Sequence, residues 1–265
     1  MELIDIGSNL THESFSDDFD AVLQRAGAAG VVQQLVTGTS VEASAAALAL
    51  HARYPQQLFA TVGVHPHHAE QLTADALPSL QALVLQPGTV AIGECGLDYF
   101  RNFAPHQAQC HAFAAQLAVA AQHQLPVFLH QRDAHAEFMA VLREHISSLV
   151  GGVAHCFTGQ RAELEDCLEI GLHIGITGWI CDERRGLHLQ ELVRHIPVDR
   201  LMIETDAPYL LPRSLRPKPA SRRNEPAFLP EVARVIAQAR GVEVSELAAV
   251  TTANARRFFA LPAAT

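Results

Sequence analysis

The chain alternates short apolar runs with longer stretches in which apolar residues recur every three to four positions. Eight runs read as strands: residues 3–7, 31–38, 58–66, 89–96, 126–133, 151–157, 172–178 and 201–206. Their apolar residues are nearly continuous, the pattern of parallel strands covered on both faces. Between them, Ala-, Leu- and Gln-rich segments such as 41–53, 106–123 and 161–171 have helical spacing, and a terminal helical stretch follows from Glu231. Eight strand-then-helix units are the number that closes a (β/α)8 TIM barrel, in the α/β class. An open doubly wound sheet would ordinarily have fewer strands and a glycine-rich first turn, and no GxGxxG or P-loop pattern occurs here. No linker, repeat or low-complexity tract interrupts the chain, so residues 1–265 are expected to form a single domain.

Composition narrows the function classes. The 265 residues are 49% hydrophobic and 18% charged, enough apolar material for a sizeable core. No run approaches the roughly 20 unbroken apolar residues of a membrane helix. The N-terminus lacks a basic, signal-like segment, and the five cysteines are scattered with no CxxC pair. A cytoplasmic protein with free thiols is the expectation. Net charge is −9 and Lys218 is the sole lysine, which argues against broad adhesion to duplex nucleic acid but leaves room for a local basic pocket. The Pro- and Arg-rich stretch at 212–226 is the natural candidate, as a long loop after the last strand. With no heptad or clear apolar stripe, a monomer is expected.

In a barrel, the C-terminal ends of the strands share one mouth. Unusual polar residues cluster at those ends. Asp5 and Asn9 belong to the first strand and His65 closes the third, with His67 and His68 beyond. Glu94 and Asp98 follow on the fourth, then His130, Arg132 and Asp133 on the fifth, His155 on the sixth, and Glu204 and Asp206 on the eighth. An acid buried in a barrel mouth is costly unless a cation neutralises it. Two carboxylates and two histidines, each closing an apolar strand, thus form a nitrogen–oxygen set suited to Mg²⁺, Mn²⁺ or Zn²⁺. Any one of these histidines alone is more often a hydrogen-bonded structural residue; their arrival at several strand ends makes the case. Glu204 reads as a support behind the ligands, and Asp5 suits a structural role as well as a functional one. Strand alternation turns Cys95 and Cys156 away from their neighbours, toward packing.

The segments "IGECGLD", "PVFLHQRDAH", "AHCFTG", "IGITGWICDERRG", "IETDAPYLLP" and "SRRNEPAFLP" together closely resemble the TatD deoxyribonucleases, metal-dependent enzymes of the amidohydrolase-like barrels. The resemblance runs from "IDIGSNL" to "TTANARRFF". It implies that Glu94, His130, His155 and Asp206 hold metal, that His65 lies near the scissile phosphate, and that Arg132 and Asn224 contact phosphate or substrate. It further implies 3′-to-5′ exonuclease action on single-stranded DNA ends, or RNA, with Mg²⁺, in DNA repair or degradation. One departure stands out. Many relatives begin with an Asp-x-His-x-His pattern whose histidines hold a metal, whereas Gly7 and Asn9 occupy those places here. One exchangeable cation, or a second that arrives with substrate, fits this chain better than a permanent pair.

In the expected reaction, Asp206 orients or deprotonates the attacking water, and His65 and His130 stabilise developing charge or protonate the leaving oxygen. Arg132 and the arginines between residues 213 and 223 are candidates to grip phosphate, against the alternative of a solvated basic surface. Tyr99, Phe100, Phe103, Phe157, Trp179 and Tyr209 are candidates to stack on a base, and each is equally suited to packing. The rival reading is hydrolysis of a small amide or ester, or of an aminoacyl-tRNA ester. A third is a metal-binding accessory protein without catalysis.

Overall fold

A computed structural model describes residues 1–263. The strands are β1 (Leu3–Ser8), β2 (Val31–Val36), β3 (Leu58–Val62), β4 (Thr89–Asp98), β5 (Val127–Arg132), β6 (Gly152–Ala154), β7 (His173–Ile176) and β8 (Leu201–Ile203). The helices are α1 (Phe19–Ala28), α2 (Val41–Arg53), α3 (Ala76–Val84), α4 (His106–His123), α5 (His135–His145), α6 (Arg161–Glu169), α7 (Leu187–Leu192), α8 (Leu229–Arg240) and α9 (Val244–Phe258). The strands form one eight-stranded sheet in chain order, with parallel pairing and a bridge from Ser8 to Ala207. Parallel strands in chain order with helical crossovers are the (β/α)8 barrel expected from the sequence.

The chain comprises two compact units. One runs Met1–Val36, Cys156–Leu164 and from Ile174 onward; the other is Thr37–His155 with Glu165–His173. In the first, β1 is buried throughout, and β8 is three fully apolar, buried residues. The terminal helical stretch is two helices: Gly241, at φ +69, caps α8 in the left-handed conformation and α9 begins three residues later. In the second unit, β4 is buried from Ala91 onward. It pairs with β5 so that Gly96 faces His130 and Asp98 faces Arg132. Gly96 has φ +145, and a Cβ there would lie 1.9 Å from the His130 carbonyl oxygen. Only glycine fits, and its bareness lets the two strands that carry Glu94 and His130 approach.

Six strands are shorter than their apolar runs predict, β6 and β8 among them. β6 ends at Ala154 and β8 at Ile203, so His155, Glu204 and Asp206 lie beyond the strands rather than inside them. Cys156 and Asp206 have φ values of +46 and +54, which break the extended path there. Non-glycine residues pay for such conformations, and they recur at functional sites.

Candidate metal centre

Three imidazoles of the second unit gather around one carboxylate oxygen. Glu94 Oε1 lies 2.7 Å from His130 Nδ1, 3.3 Å from His155 Nε2 and 3.4 Å from His65 Nε2. Each comes from a different strand: His65 from beyond β3, Glu94 from β4, His130 from β5 and His155 from beyond β6. Glu94, His65 and His155 are all buried. Burial pushes the Glu94 carboxyl up, but His65, His155 and His130 outweigh it and hold the group well below the usual range. Burial takes the His65 imidazole down to about 4, against the pull of Glu94. His130 is raised: burial lowers it, and hydrogen bonds to Asp98 and Glu94 more than compensate.

The donor chemistry fits a divalent cation. His65, Glu94 and His130 each offer a ligand atom within 4.8 Å of the others. Donors about 2.1 Å from one ion lie roughly 3.4 Å apart in a tetrahedron, close to the Glu94–His65 and Glu94–His155 separations. The sequence reading kept His65 apart from the ligands, near the phosphate; the structure places it in the same cluster.

Two residues outside the expected set join it. Asp98 Oδ2 lies 2.8 Å from His67 Nε2 and 3.3 Å from His130 Nε2. His130 is therefore held between two carboxylates, Glu94 at one ring nitrogen and Asp98 at the other, which fixes its orientation. Two glutamines of α4 position the loops that bear these groups. Gln116 Oε1 accepts from the Val64 N–H at 2.7 Å, and its Nε2 donates to the Val64 carbonyl at 3.0 Å, one residue before His65. Gln109 Oε1 accepts from the Asp98 N–H at 2.8 Å, and its Nε2 donates to the Ala104 carbonyl at 2.8 Å. Both glutamines are fully buried. Their spacing of seven, two helical turns, was the signal available in the sequence.

In the first unit, Asp206 is set by its surroundings. Asn9 Nδ2 donates to Asp206 Oδ1 at 2.9 Å, and the Asp206 N–H donates to the Gly7 carbonyl at 2.8 Å. Of the two positions that depart from the Asp-x-His-x-His pattern, Asn9 thus holds this carboxylate and Gly7 holds the backbone N–H of the same residue. Glu204 is fully buried, and its Oε1 accepts the Cys156 N–H at 2.5 Å, which orders the backbone immediately after His155. Asp5, also fully buried, accepts from the Thr205 N–H at 2.9 Å, the Thr205 hydroxyl at 2.5 Å and the Gly7 N–H at 3.3 Å. It ties the end of β8 to β1.

Burial pushes the Asp5 carboxyl up to about 7 from an ordinary 3.8, against those three hydrogen bonds. The folded chain therefore binds a proton that the unfolded chain has released. This stability is full below about pH 4 and is lost as pH rises to about 7. Relative to Asp5→Asn, the wild type should lose on the order of a few kcal/mol across that window and then level off. Urea midpoints of both proteins from pH 4 to 8 measure this; a difference independent of pH would refute it.

Two expected phosphate contacts have protein partners in the structure. Asn224 is fully buried; its Nδ2 donates to the Thr205 carbonyl at 2.9 Å and its Oδ1 accepts the Glu225 N–H. Its amide bonds to backbone and so braces the Asp206 turn. In the basic loop, Arg223 makes paired bonds of 2.8 Å to both Asp18 oxygens and one of 2.7 Å to Glu225, with its guanidinium over the Phe15 ring. Arg213 pairs with Glu183. These arginines fasten the loop to its own unit. Arg132 Nε approaches Asp133 Oδ1 at 3.9 Å, and its guanidinium lies 4.7 Å over the exposed Phe100 ring.

The profile of the TatD related DNase family matches residues 4–260. The chain is 54% identical to "3′-5′ ssDNA/RNA exonuclease TatD" of Erwinia amylovora, over 98% of this chain and 100% of that protein. It is 55% identical to the protein of that name from Citrobacter rodentium, over 98% of each. Among solved structures, a TatD homologue from Escherichia coli superposes with a TM-score of 0.89 at 32% identity, covering 98% of both chains. A TatD family hydrolase from Entamoeba histolytica gives 0.87 at 27% identity, over 97% of this chain and 98% of that one.

Proposed function

The chain belongs to the TatD related DNases, and from that premise we propose that it is a metal-dependent exonuclease removing nucleotides from the 3′ ends of single-stranded DNA and RNA. It is a hydrolase acting on nucleic acid. The observation that carries the metal-dependent reading is the single buried carboxylate oxygen of Glu94 surrounded by three imidazole nitrogens. Such a set is a poor use of core volume unless it binds a cation.

A divalent cation, Mg²⁺ in this reading, would supply charge neutralisation at the phosphoryl oxygens and a lowered pKa for the attacking water. Glu94, His130, His155 and Asp206 would hold it, and His65 would serve the phosphate. Asp98 keeps the His130 ring in place from behind. Asp206 orients the attacking water, and the Asn9 hydrogen bond fixes which way that carboxylate faces. His130 stabilises charge on the leaving oxygen. The role in the cell is trimming of single-stranded ends during DNA repair or degradation. Among the described residues, no helix is long and apolar enough to cross a membrane.

The test is digestion of a 5′-labelled single-stranded oligonucleotide, with and without a 3′-terminal block. A ladder shortening from the 3′ end is expected, abolished by EDTA and restored by Mg²⁺ or Mn²⁺. Undiminished digestion of the blocked strand, or in EDTA, would sink the reading.

A further inference from the structure

The loop joining β4 to α4 presents a second feature beside the ligand cluster. Phe100 and Phe103 are 57% and 66% exposed, two of the three exposed aromatic residues among those described. Scattered apolar residues on a surface are ordinary; these two occupy one short loop whose root is the metal centre. Asp98, at that root, bonds to His67 and His130 and accepts the Arg101 N–H at 2.8 Å. The Phe103 ring packs against His67 with centroids 4.7 Å apart, and His67 against His65 at 4.2 Å. Two ring contacts therefore separate Phe103 from the ligand set. Two guanidinium groups lie over the Phe100 ring: Arg132 at 4.7 Å and Arg101 at 5.8 Å from its centroid.

Exposed rings beside guanidinium groups form the recognition unit for single-stranded nucleic acid. The ring takes a base face to face without regard to sequence, and the cations take the flanking phosphates. A double helix keeps its bases stacked on one another and offers no free face to such a ring.

Building on the nuclease reading above, we infer that Phe103 is a stacking platform for an unpaired base next to the scissile phosphodiester, with Phe100, Arg101 and Arg132 gripping the adjoining nucleotide. His67 and Asp98 hold the platform at a set distance from the ligands. The enzyme thus measures its substrate by a base as well as by a phosphate.

The experiment moves a single abasic nucleotide through the last three 3′ positions of an oligonucleotide. In the wild type, kcat/KM should fall roughly tenfold to a hundredfold at one of these positions. Phe103→Ala should lose a similar factor on the intact strand, mostly through KM, and no longer distinguish the abasic strand. Phe103→Trp should keep both the rate and the discrimination. A second readout needs no turnover: in EDTA, the fluorescence of 2-aminopurine at the sensitive position is quenched by wild type and by Phe103→Trp, and not by Phe103→Ala. If strands are digested but Phe103→Ala matches the wild type in both readouts, the platform is refuted and the nuclease reading survives. If nothing is digested while the quenching pattern holds, the platform stands and the nuclease reading falls.

Discussion

Glu94→Gln is expected to lower kcat on a single-stranded oligonucleotide by at least about 10³-fold, the rate equivalent of several kcal/mol of lost charge stabilisation. The substitution keeps the shape of the side chain and removes its charge. Glu94 Oε1 approaches His65, His130 and His155 together, within 3.4 Å of each. A neutral amide is a weak ligand, and its NH₂ would meet imidazole nitrogens in place of a shared anion. Titration with Mn²⁺ should show affinity weakened by more than about tenfold to a hundredfold, the usual effect of losing an outer partner alone. Circular dichroism and the melting temperature check that the fold is kept. Wild-type turnover by folded Glu94→Gln would remove the cluster from the chemistry.

Gly96→Ala is expected to destabilise the protein by about 3 kcal/mol or more, combining a conformation nearly reserved for glycine with a backbone collision. The new Cβ would stand 1.9 Å from the His130 carbonyl oxygen, and a carbonyl on a paired strand has no flexible end to swing away. Relief requires β4 and β5 to part, which separates Glu94 from His130, so metal affinity should fall together with stability. A loss of this size corresponds to roughly 6–12 °C in melting temperature for a chain of this size. The matched control is Gly27→Ala at an exposed position of α1, where a Cβ meets nothing within 4 Å. It should stabilise by about 0.5–1 kcal/mol. Equal melting temperatures for the two variants would show that the close approach of β4 to β5 carries no energetic weight.

The strand order was legible because buried parallel strands leave unbroken apolar runs, and Glu94 and His130 were legible because each interrupts such a run near its end. What escaped the sequence was partnership over distance. Arg223 looks like a free cation in its local context; Asp18, which holds it through two bonds, is 205 residues away. Asn224 sits in a basic stretch that suggests phosphate, yet its amide answers the backbone of Thr205. Gln109 and Gln116 resemble the other polar residues of a long helix; only their burial shows that their amides face inward to bind loop backbone. The short β6 and β8 escaped because positive φ at Cys156 and Asp206 leaves no mark in residue type.

The same two glutamines make α4 a common rod with two grips. One clasps the peptide before His65 and the other clasps Asp98, so the rod fixes the interval between them. A thermal slide of this helix along its axis would carry both loops in step. Their separation, on which the cage depends, would outlast the slide, and the wobble of the two loops should be correlated rather than independent.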